Sequence, residues 1–460
     1  MTISRVPAQQ RHYVQTLNHS FINITERDRY ELGVPLENKE YELAKLHPGA
    51  NGLFDFIALK TELDAALAAP IEFHEVFLPA AANAQARLIK WDRSYYWNDN
   101  RTNILPRGNV GQTTLLHHKE NACFSKTLIG DVFGSWVDNN TVQADGHYEL
   151  KNNYWWQKDN IQHYNTAREF NLLNREERPD GGLIHYTYDA PYFLTLTQVR
   201  DALGNRTQAV IDYHVIAPHR ITDLNDNQSD AMYDPLGVVV VSTIHGDILG
   251  SGGAPSPYGN DRIDTYNEQA DASFATILSE PTRFLQNVSQ YHFYELDTWA
   301  KSNTPPRSLD LVREEFVHDG RGGGAVNSPI QVTVIYSDGF GRELQTRQKV
   351  ENGPAIKRDS TGAVVLDPQG RPEEEDSEER WLASGHTVYN NKQLTVRQYE
   401  PFYSTTADFE SDAELQAYGV STHTHYDAVG REQRVDMPNG TFTKVETTPW
   451  KYATMIRTIP

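Results

Sequence analysis

The sequence predicts a mainly β fold made of successive hairpins, with a few short inserted helices. Strand-length runs rich in β-branched and aromatic residues recur, as at Tyr192–Val199, Gln208–Val215 and Val238–Ile244, and such residues fit a pleated, half-buried surface. The breaks between them, Asp201–Asn205, Asp223–Asn227 and Tyr233–Gly237, hold residues that tolerate tight or left-handed turns. One turn pattern also repeats: Asp-x-x-Gly stands at Asp201–Gly204, Asp234–Gly237, Asp338–Gly341, Asp367–Gly370 and Asp427–Gly430.

Taken in order, residues 1–27 read as a lead-in arm, extended or strand-like. Arg29–Leu46 alternates around Gly33-Val-Pro35 as a strand pair would. Asp55 then precedes a run in which Phe56, Leu59, Leu63 and Leu67 share a helical face and Pro70 ends it, so Asp55 caps a surface helix. Residues 71–165 return to short strands with large rings at Tyr95, Tyr96, Trp97, Trp136, Tyr148, Tyr154, Trp155 and Trp156. Gly246–Tyr258 reads as a surface loop. A helical pair follows, Tyr266–Leu278 and Pro281–Ser289, then a strand over Tyr291–Trp299. Strands at Glu314–His318 and Gln331–Tyr336 flank a glycine loop at Gly320–Gly324. Lys357–Arg380 is acidic enough to predict a solvated loop, and Ser411–Glu414 is a capping box for a helix ending at Gly419.

Composition narrows the function. The formal net charge of −20 excludes a charge-driven grip on nucleic acid and disfavours anionic membranes. With 17 His, full protonation takes the charge to −20 + 17 = −3, which opens acid-sensitive assembly, although scattered histidines without a switching role account for the same count. A single cysteine, Cys123, excludes an internal disulfide and a Cys-based zinc site. The N-terminus has no apolar core of signal-peptide length, and no stretch predicts a membrane-spanning helix.

No catalytic constellation stands out: there is no Gly-x-Ser-x-Gly elbow, His-Glu-x-x-His pair or Walker loop. No cofactor is implied. The best cation candidate is Asp223, Asn225, Asn227 and Ser229 with Asp234 eleven residues after the first, the ligand spacing of a calcium loop. It departs at position six, Gln228 in place of glycine, and at position twelve, the shorter Asp234; a turn joining two strands explains the same residues. His423 and His425 share one face of a strand, with no third ligand near in sequence. The rings over residues 95–156 suit sheet packing and, alternatively, a carbohydrate platform.

Tyr336-Ser-Asp-Gly-Phe-Gly-Arg342 and Tyr426-Asp-Ala-Val-Gly-Arg431 are the fullest copies of a tyrosine-aspartate repeat that resembles RHS/YD-repeat proteins. Together with Arg29–Glu37, Asp212-Tyr-His-Val215, Thr222-Asp-Leu-Asn225 and Trp381–Gly385, they resemble the middle and C-terminal part of the B component of insecticidal toxin complexes, from about Arg29 to Trp450. The resemblance implies an RHS/YD-repeat β-sheet shell, a partial cocoon wall. Residues 28–165 then form a B-component-type β region, 166–450 the repeat shell, and 451–460 a divergent or truncated tail. It further implies a non-enzymatic virulence role in a secreted complex, made in the cytoplasm: walling in the cytotoxic C-terminus of a partner C component. A pore-forming A component would be met only indirectly, since the family's propeller is not in this sequence. That missing part, and the early stop after Thr448-Pro-Trp450, lead us to expect a fragment, a split gene or a short version with an unpaired sheet edge. A secreted or surface carbohydrate- or receptor-binding YD-repeat protein is the second reading, and a polysaccharide-acting enzyme the third.

Overall fold

The computed structural model describes residues 2–6, 11–47, 55–72, 75–78, 82–246, 261–317, 328–384, 386–411, 419–448 and 451–457. The chain divides into two units, Met1–Arg206 and Thr207–Pro460, and both are mainly β with short helices inserted between strands.

In the first unit, antiparallel strands follow one another as β1 (Thr2–Val6), β2 (Arg11–Glu26), β3 (Arg29–Ala44), β4 (Gln85–Tyr96) and β5 (Leu116–Ser125), with β6 (Glu149–Lys151) outermost beyond β7 (Tyr154–Lys158). The expected turn at Gly33 is instead a bulge within the 16-residue β3. The register against β2 slips there, Gly33 takes φ 74°, and its N–H donates to Asn23 Oδ1 at 2.8 Å. A glycine tolerates that backbone at low cost. Helix α1 (Phe56–Ala68) is capped as predicted, with Ile57 and Ala58 N–H on Asp55 Oδ1. Its Leu63, Ala66 and Leu67 cover Tyr41, Leu43, Ala86 and Leu88; Phe56, which the periodicity placed on that face, is exposed at the first turn. Two helices went unpredicted, α2 (Lys126–Phe133) capped by Ser125 and α3 (Asn139–Ala144) capped by Asp138; their Ile129 and Val142 pack on Trp155. A meander of β8 (Ile161–Tyr164), β9 (Leu173–Glu177), β10 (Leu183–Tyr188) and β11 (Leu196–Arg200) follows. The predicted strand Tyr192–Val199 therefore starts late, because Asp189 binds the Leu194 and Thr195 N–H groups in a loop.

The second unit builds its main sheet in chain order: β12 (Arg206–Asp212), β13 (Ala217–Thr222), β14 (Gln228–Tyr233), β15 (Val239–His245), β16 (Gln290–Glu295), β17 (Arg307–Arg313), β18 (Ile330–Ser337) and β19 (Glu343–Val350), each antiparallel to the one before. Alternate residues face one core: Val241, Tyr291, Leu309, Leu311, Val332, Val334 and Tyr336. Over them lie α4 (Phe274–Ser279) and α5 (Pro281–Leu285), which contribute Ile277, Phe284 and Leu285. Period-two burial on one face of an antiparallel sheet, closed by short helices, is what the alternation in these segments encodes. The first of that predicted helical pair is shorter than expected, because Ser273 caps it at Phe274. The predicted strand Tyr291–Trp299 gives way after Glu295 to α6 (Thr298–Ser302), and the strand expected at Glu314–His318 lies earlier, as β17.

The acidic stretch Lys357–Arg380 is not a plain loop. Its Glu374–Ser377 forms β21, paired with β20 (Gly353–Ile356) just ahead of the stretch, and the residues between them form two further tight turns. Next come β22 (Arg380–Ser384), β23 (Thr387–Tyr389), β24 (Thr395–Tyr399), β25 (Phe402–Ser404), β26 (Ser421–Tyr426), β27 (Glu432–Asp436), β28 (Phe442–Thr448) and β29 (Lys451–Arg457). Strand β22 pairs with β19, and β25 with β22, while β23, β24 and β26 to β29 form their own sheet. The residues of the tail after 450 thus enter a strand paired with β28. The loops expected at 250–258 and 320–324, the helix expected after Ser411 and the Pro-Trp at 449–450 lie outside the described residues.

Candidate functional site

The recurrent element is the tyrosine-aspartate turn. At Asp201, Asp234, Asp338, Asp367 and Asp427, Oδ1 accepts the backbone N–H groups two and four residues on, at 2.8–3.0 Å. The glycine after it takes positive φ, 76–89° in these five turns. The main chain closes a type I turn followed by a left-handed residue, a hairpin connection that matches strand twist. The second carboxylate oxygen holds the residue four positions on: Arg342 Nε at 2.6 Å, Arg371 Nε at 3.0 Å and Arg431 Nε at 2.7 Å. That accounts for the Gly-Arg of the motif.

The tyrosine works in the opposite direction. Tyr188, Tyr233, Tyr389 and Tyr426 each donate from the hydroxyl to a backbone carbonyl near the start of an earlier strand, at Leu173, Pro218, Glu343 and Thr395, over 2.7–3.1 Å. At each of these four tyrosines the pairing register with the following strand slips by one residue. A bulge raises local twist, so each of these four tyrosines marks a bend in its strand pair and fastens it to the strand behind; Tyr336 instead donates forward, to the Ala407 carbonyl at 2.9 Å. Replacing Asp338 by alanine removes the acceptor of two backbone N–H groups and the Arg342 pair, and is expected to lower stability by roughly 1–2 kcal/mol. Replacing it by asparagine should cost less than half as much, because Asn390 makes the same two backbone contacts, to Lys392 and Leu394 N–H. Chemical denaturation of the three proteins checks the order.

Three copies escaped the sequence reading. Asp359–Gly362 fits the pattern but lies in the acidic run; Asp223 and Asn390 lack the glycine, with Asp226 and Gln393 adopting positive φ instead. The Asp223 copy is the calcium candidate. Asp223 Oδ1 accepts Asn225 and Asn227 N–H, and its Oδ2 accepts Asn227 Nδ2 at 2.9 Å. Ser229 sits within β14, and Asp234 caps the turn at that strand's far end. Six extended residues separate the two carboxylates by roughly 20 Å, so the structure does not bring Asp223, Asn225, Asn227, Ser229 and Asp234 around one point. His423 and His425 do stand together, 4.4 Å between ring centroids, and His425 Nε2 lies 2.8 Å from Asp436 Oδ2. Among the described residues no group of three or more His, Cys, Asp or Glu side chains is placed to hold a metal.

The rings of the first unit are mostly structural. Of those singled out between residues 95 and 156, Tyr96, Trp97, Trp155 and Trp156 are buried, Tyr148 and Tyr154 pack against core clusters, and Trp136 is exposed; elsewhere in the unit Tyr30, Phe56 and Phe170 are exposed as well. Beside the buried rings lies a largely buried polar group with no forewarning in the sequence. His117 Nδ1 is 2.7 Å from His118 Nδ1, His118 stacks on Tyr95, and Glu120 accepts from Lys151 Nζ at 2.6 Å. Burial, then the charges of His118, His163 and Lys158, hold His117 down to about 4. For Glu120 burial opposes ionisation, yet hydrogen bonds from His118 and Lys151 outweigh it and bring the carboxyl to about 2. Between the ordinary histidine value near 6.5 and about 4 the unfolded chain takes up a proton that folded His117 refuses, so stability falls as pH falls through that window. Below about 4.5, Glu120 adds a second loss by the same logic. A His117→Asn variant should flatten the decline of melting temperature between pH 6.5 and 4 while leaving the decline below it, which thermal unfolding across pH will show.

The second unit carries a larger buried charge cluster. Glu410 binds Arg347 at 3.2 Å, Arg358 at 2.5 Å and Ser404 Oγ at 3.1 Å, while Gln345 Oε1 accepts Arg347 Nη2 and Glu410 N–H at 3.0 Å each. Gln345 and Arg347 occupy inward positions of β19, where the neighbouring strands place aliphatic side chains.

Among solved structures, this chain is similar to the crystal structure of TcdB2-TccC3, with a TM-score of 0.71 at 22% identity over 98% of this chain and 21% of that one. The same complex without its hypervariable C-terminal region gives 0.68 at 20% identity, over 96% and 22%. The Photorhabdus luminescens Tc holotoxin pore gives 0.67 at 19% identity, over 97% and 22%. No protein-family model and no curated protein sequence matches. The likeness is one of fold, and the chain spans about a fifth of the length of the chains it matches.

Proposed function

We propose that this chain is a structural part of a Tc-type toxin complex, a segment of an RHS-repeat shell that encloses the cytotoxic C-terminal region of a partner C component before delivery. The observation that carries this reading is the repeated tyrosine-aspartate turn. The copies at Tyr233 and Tyr426 each join two antiparallel strands edge to edge, add twist by a bulge and tie back to an earlier strand, which is how a wall grows without a cleft. Similarity in fold to TcdB2-TccC3 supports the same reading. The role needs no catalytic residue and places the protein outside the cell, in contact with the C component and only indirectly with a pore-forming A component. The packing of Tyr96, Trp97, Trp155 and Trp156 into the interior favours a wall over a sugar platform.

Co-expression with a C component tests the proposal. A stable complex that shields the C component's terminal region from protease is expected. A protein that stays apart, leaves that region open to digestion, or binds glycans saturably would overturn it.

A further inference from the structure

A cavity of about 540 Å³ opens in the second unit between β14, β15, β16 and the segment preceding α4, within the size range of small-ligand sites. Three tyrosine rings, Tyr233, Tyr266 and Tyr291, wall it, and three carboxylates, Asp212, Asp234 and Glu268, face it; no lysine or arginine is among its lining residues. Most of its polar atoms already have work within the fold. Tyr233 and Tyr266 donate to the Pro218 and Phe284 carbonyls, Asp234 caps its turn, and Asp212 Oδ1 accepts His214 N–H.

Two groups are left over. Tyr291 is 8% exposed, yet among the described residues its hydroxyl has no hydrogen-bond partner. Glu268 is exposed and has no ion-pair partner among them either. Both line the same cavity; burial first, and then the negative charge of Glu268, push the Tyr291 hydroxyl up to about 12, so the phenol stays neutral and can accept a hydrogen bond.

We propose that this cavity binds an organic cation, an ammonium or guanidinium group on an apolar stem, such as a lysine or arginine side chain or a free amine. The stem would lie along Tyr233 and Tyr266, whose faces attract cations. The charged head would meet Glu268 and donate to the Tyr291 hydroxyl. Asp212 and Asp234 add negative field without giving up their backbone contacts. Uncompensated charge of one sign in a concave site concentrates ions of the other sign. The proposal does not rest on the shell reading, because it concerns a free probe and the isolated chain.

The test is calorimetric titration of the full chain with acetyl-Gly-Arg-Gly-amide, its citrulline counterpart and spermidine. Saturable binding of the arginine peptide is expected, with at least tenfold weaker binding of the citrulline peptide. Glu268→Gln should weaken it by a similar factor at unchanged melting temperature, since Glu268 is an exposed group outside the core. Tyr291→Phe gives a second, independent reading, because it keeps the buried ring and removes only the hydroxyl. Spermidine binding at the same site, displaced by the peptide, would identify a free amine as a competent source; its failure would assign the site to protein side chains. Equal affinity for arginine and citrulline peptides, or full affinity in both variants, would overturn the proposal.

Discussion

Replacing Glu410 by alanine is expected to lower the unfolding free energy of the full chain by about 3–5 kcal/mol, the cost of removing one partner from a buried ion pair. Arg347 is fully buried and Glu410 nearly so. Without the carboxylate, the Arg347 charge would keep only Gln345 as a close acceptor, and its Nη1 already has no partner among the described residues. Arg358 would lose the same anion. A double replacement, Arg347→Met with Glu410→Leu, should recover part of the loss, because apolar side chains need no counter-charge in that space. Urea denaturation followed by circular dichroism measures all three. A loss below about 1 kcal/mol for Glu410→Ala would mean that water reaches the cluster.

Trp156→Ala should cost a comparable amount in the first unit, about 3–5 kcal/mol by loss of a large buried ring. Trp156 is 1% exposed and meets Trp91 edge-on at 4.9 Å. The Arg93 guanidinium lies 3.9 Å from its ring centroid and 4.3 Å from that of Trp91, so the cavity would also strip a buried cation of one aromatic face. Trp156→Phe keeps a ring but loses the indole N–H bond to the Lys151 carbonyl, 2.9 Å in the native chain. That loss is worth about 1 kcal/mol, with a further contribution from the smaller ring. The ranking native, then Phe, then Ala in denaturant midpoint is the prediction; equal midpoints for Phe and Ala would show that the hydrogen bond, not the ring, holds β7 in place.

What the sequence disclosed here was local chemistry. Asp-x-x-Gly specifies a turn through atoms within five residues of one another, so all five copies found by pattern adopt the expected geometry. The mainly β class followed from alternation of the kind that buries Val332, Val334 and Tyr336 in the predicted strand Gln331–Tyr336. Where a distant partner decides, the reading failed. Arg347 and Gln345 look like solvent-facing strand residues until β25 and Glu410 close over them. His117 and His118 are adjacent in sequence, but only the packing of Tyr95 and Trp97 makes them a buried pair. Charge misled at Asp359–Gly362, where acidic neighbours hid a turn pattern recognised elsewhere. For calcium, spacing alone could not tell a wrapped loop from a capped turn, since both ask for oxygen at alternate positions; the extended β14 separates them.

Because β12 to β19 lie in the sheet in the order in which they are translated, each new strand finds its template already finished beside it. The chain therefore can be laid down from the ribosome like courses of brick, one strand at a time, with short loops to close at most steps and the longest insertion between β15 and β16. The same order leaves the newest strand bare at every stage of synthesis, and a bare edge is where neighbouring nascent chains adhere. Translation pauses should be tolerated best just after the Asp234 turn, where β14 is already pinned from behind by Tyr233.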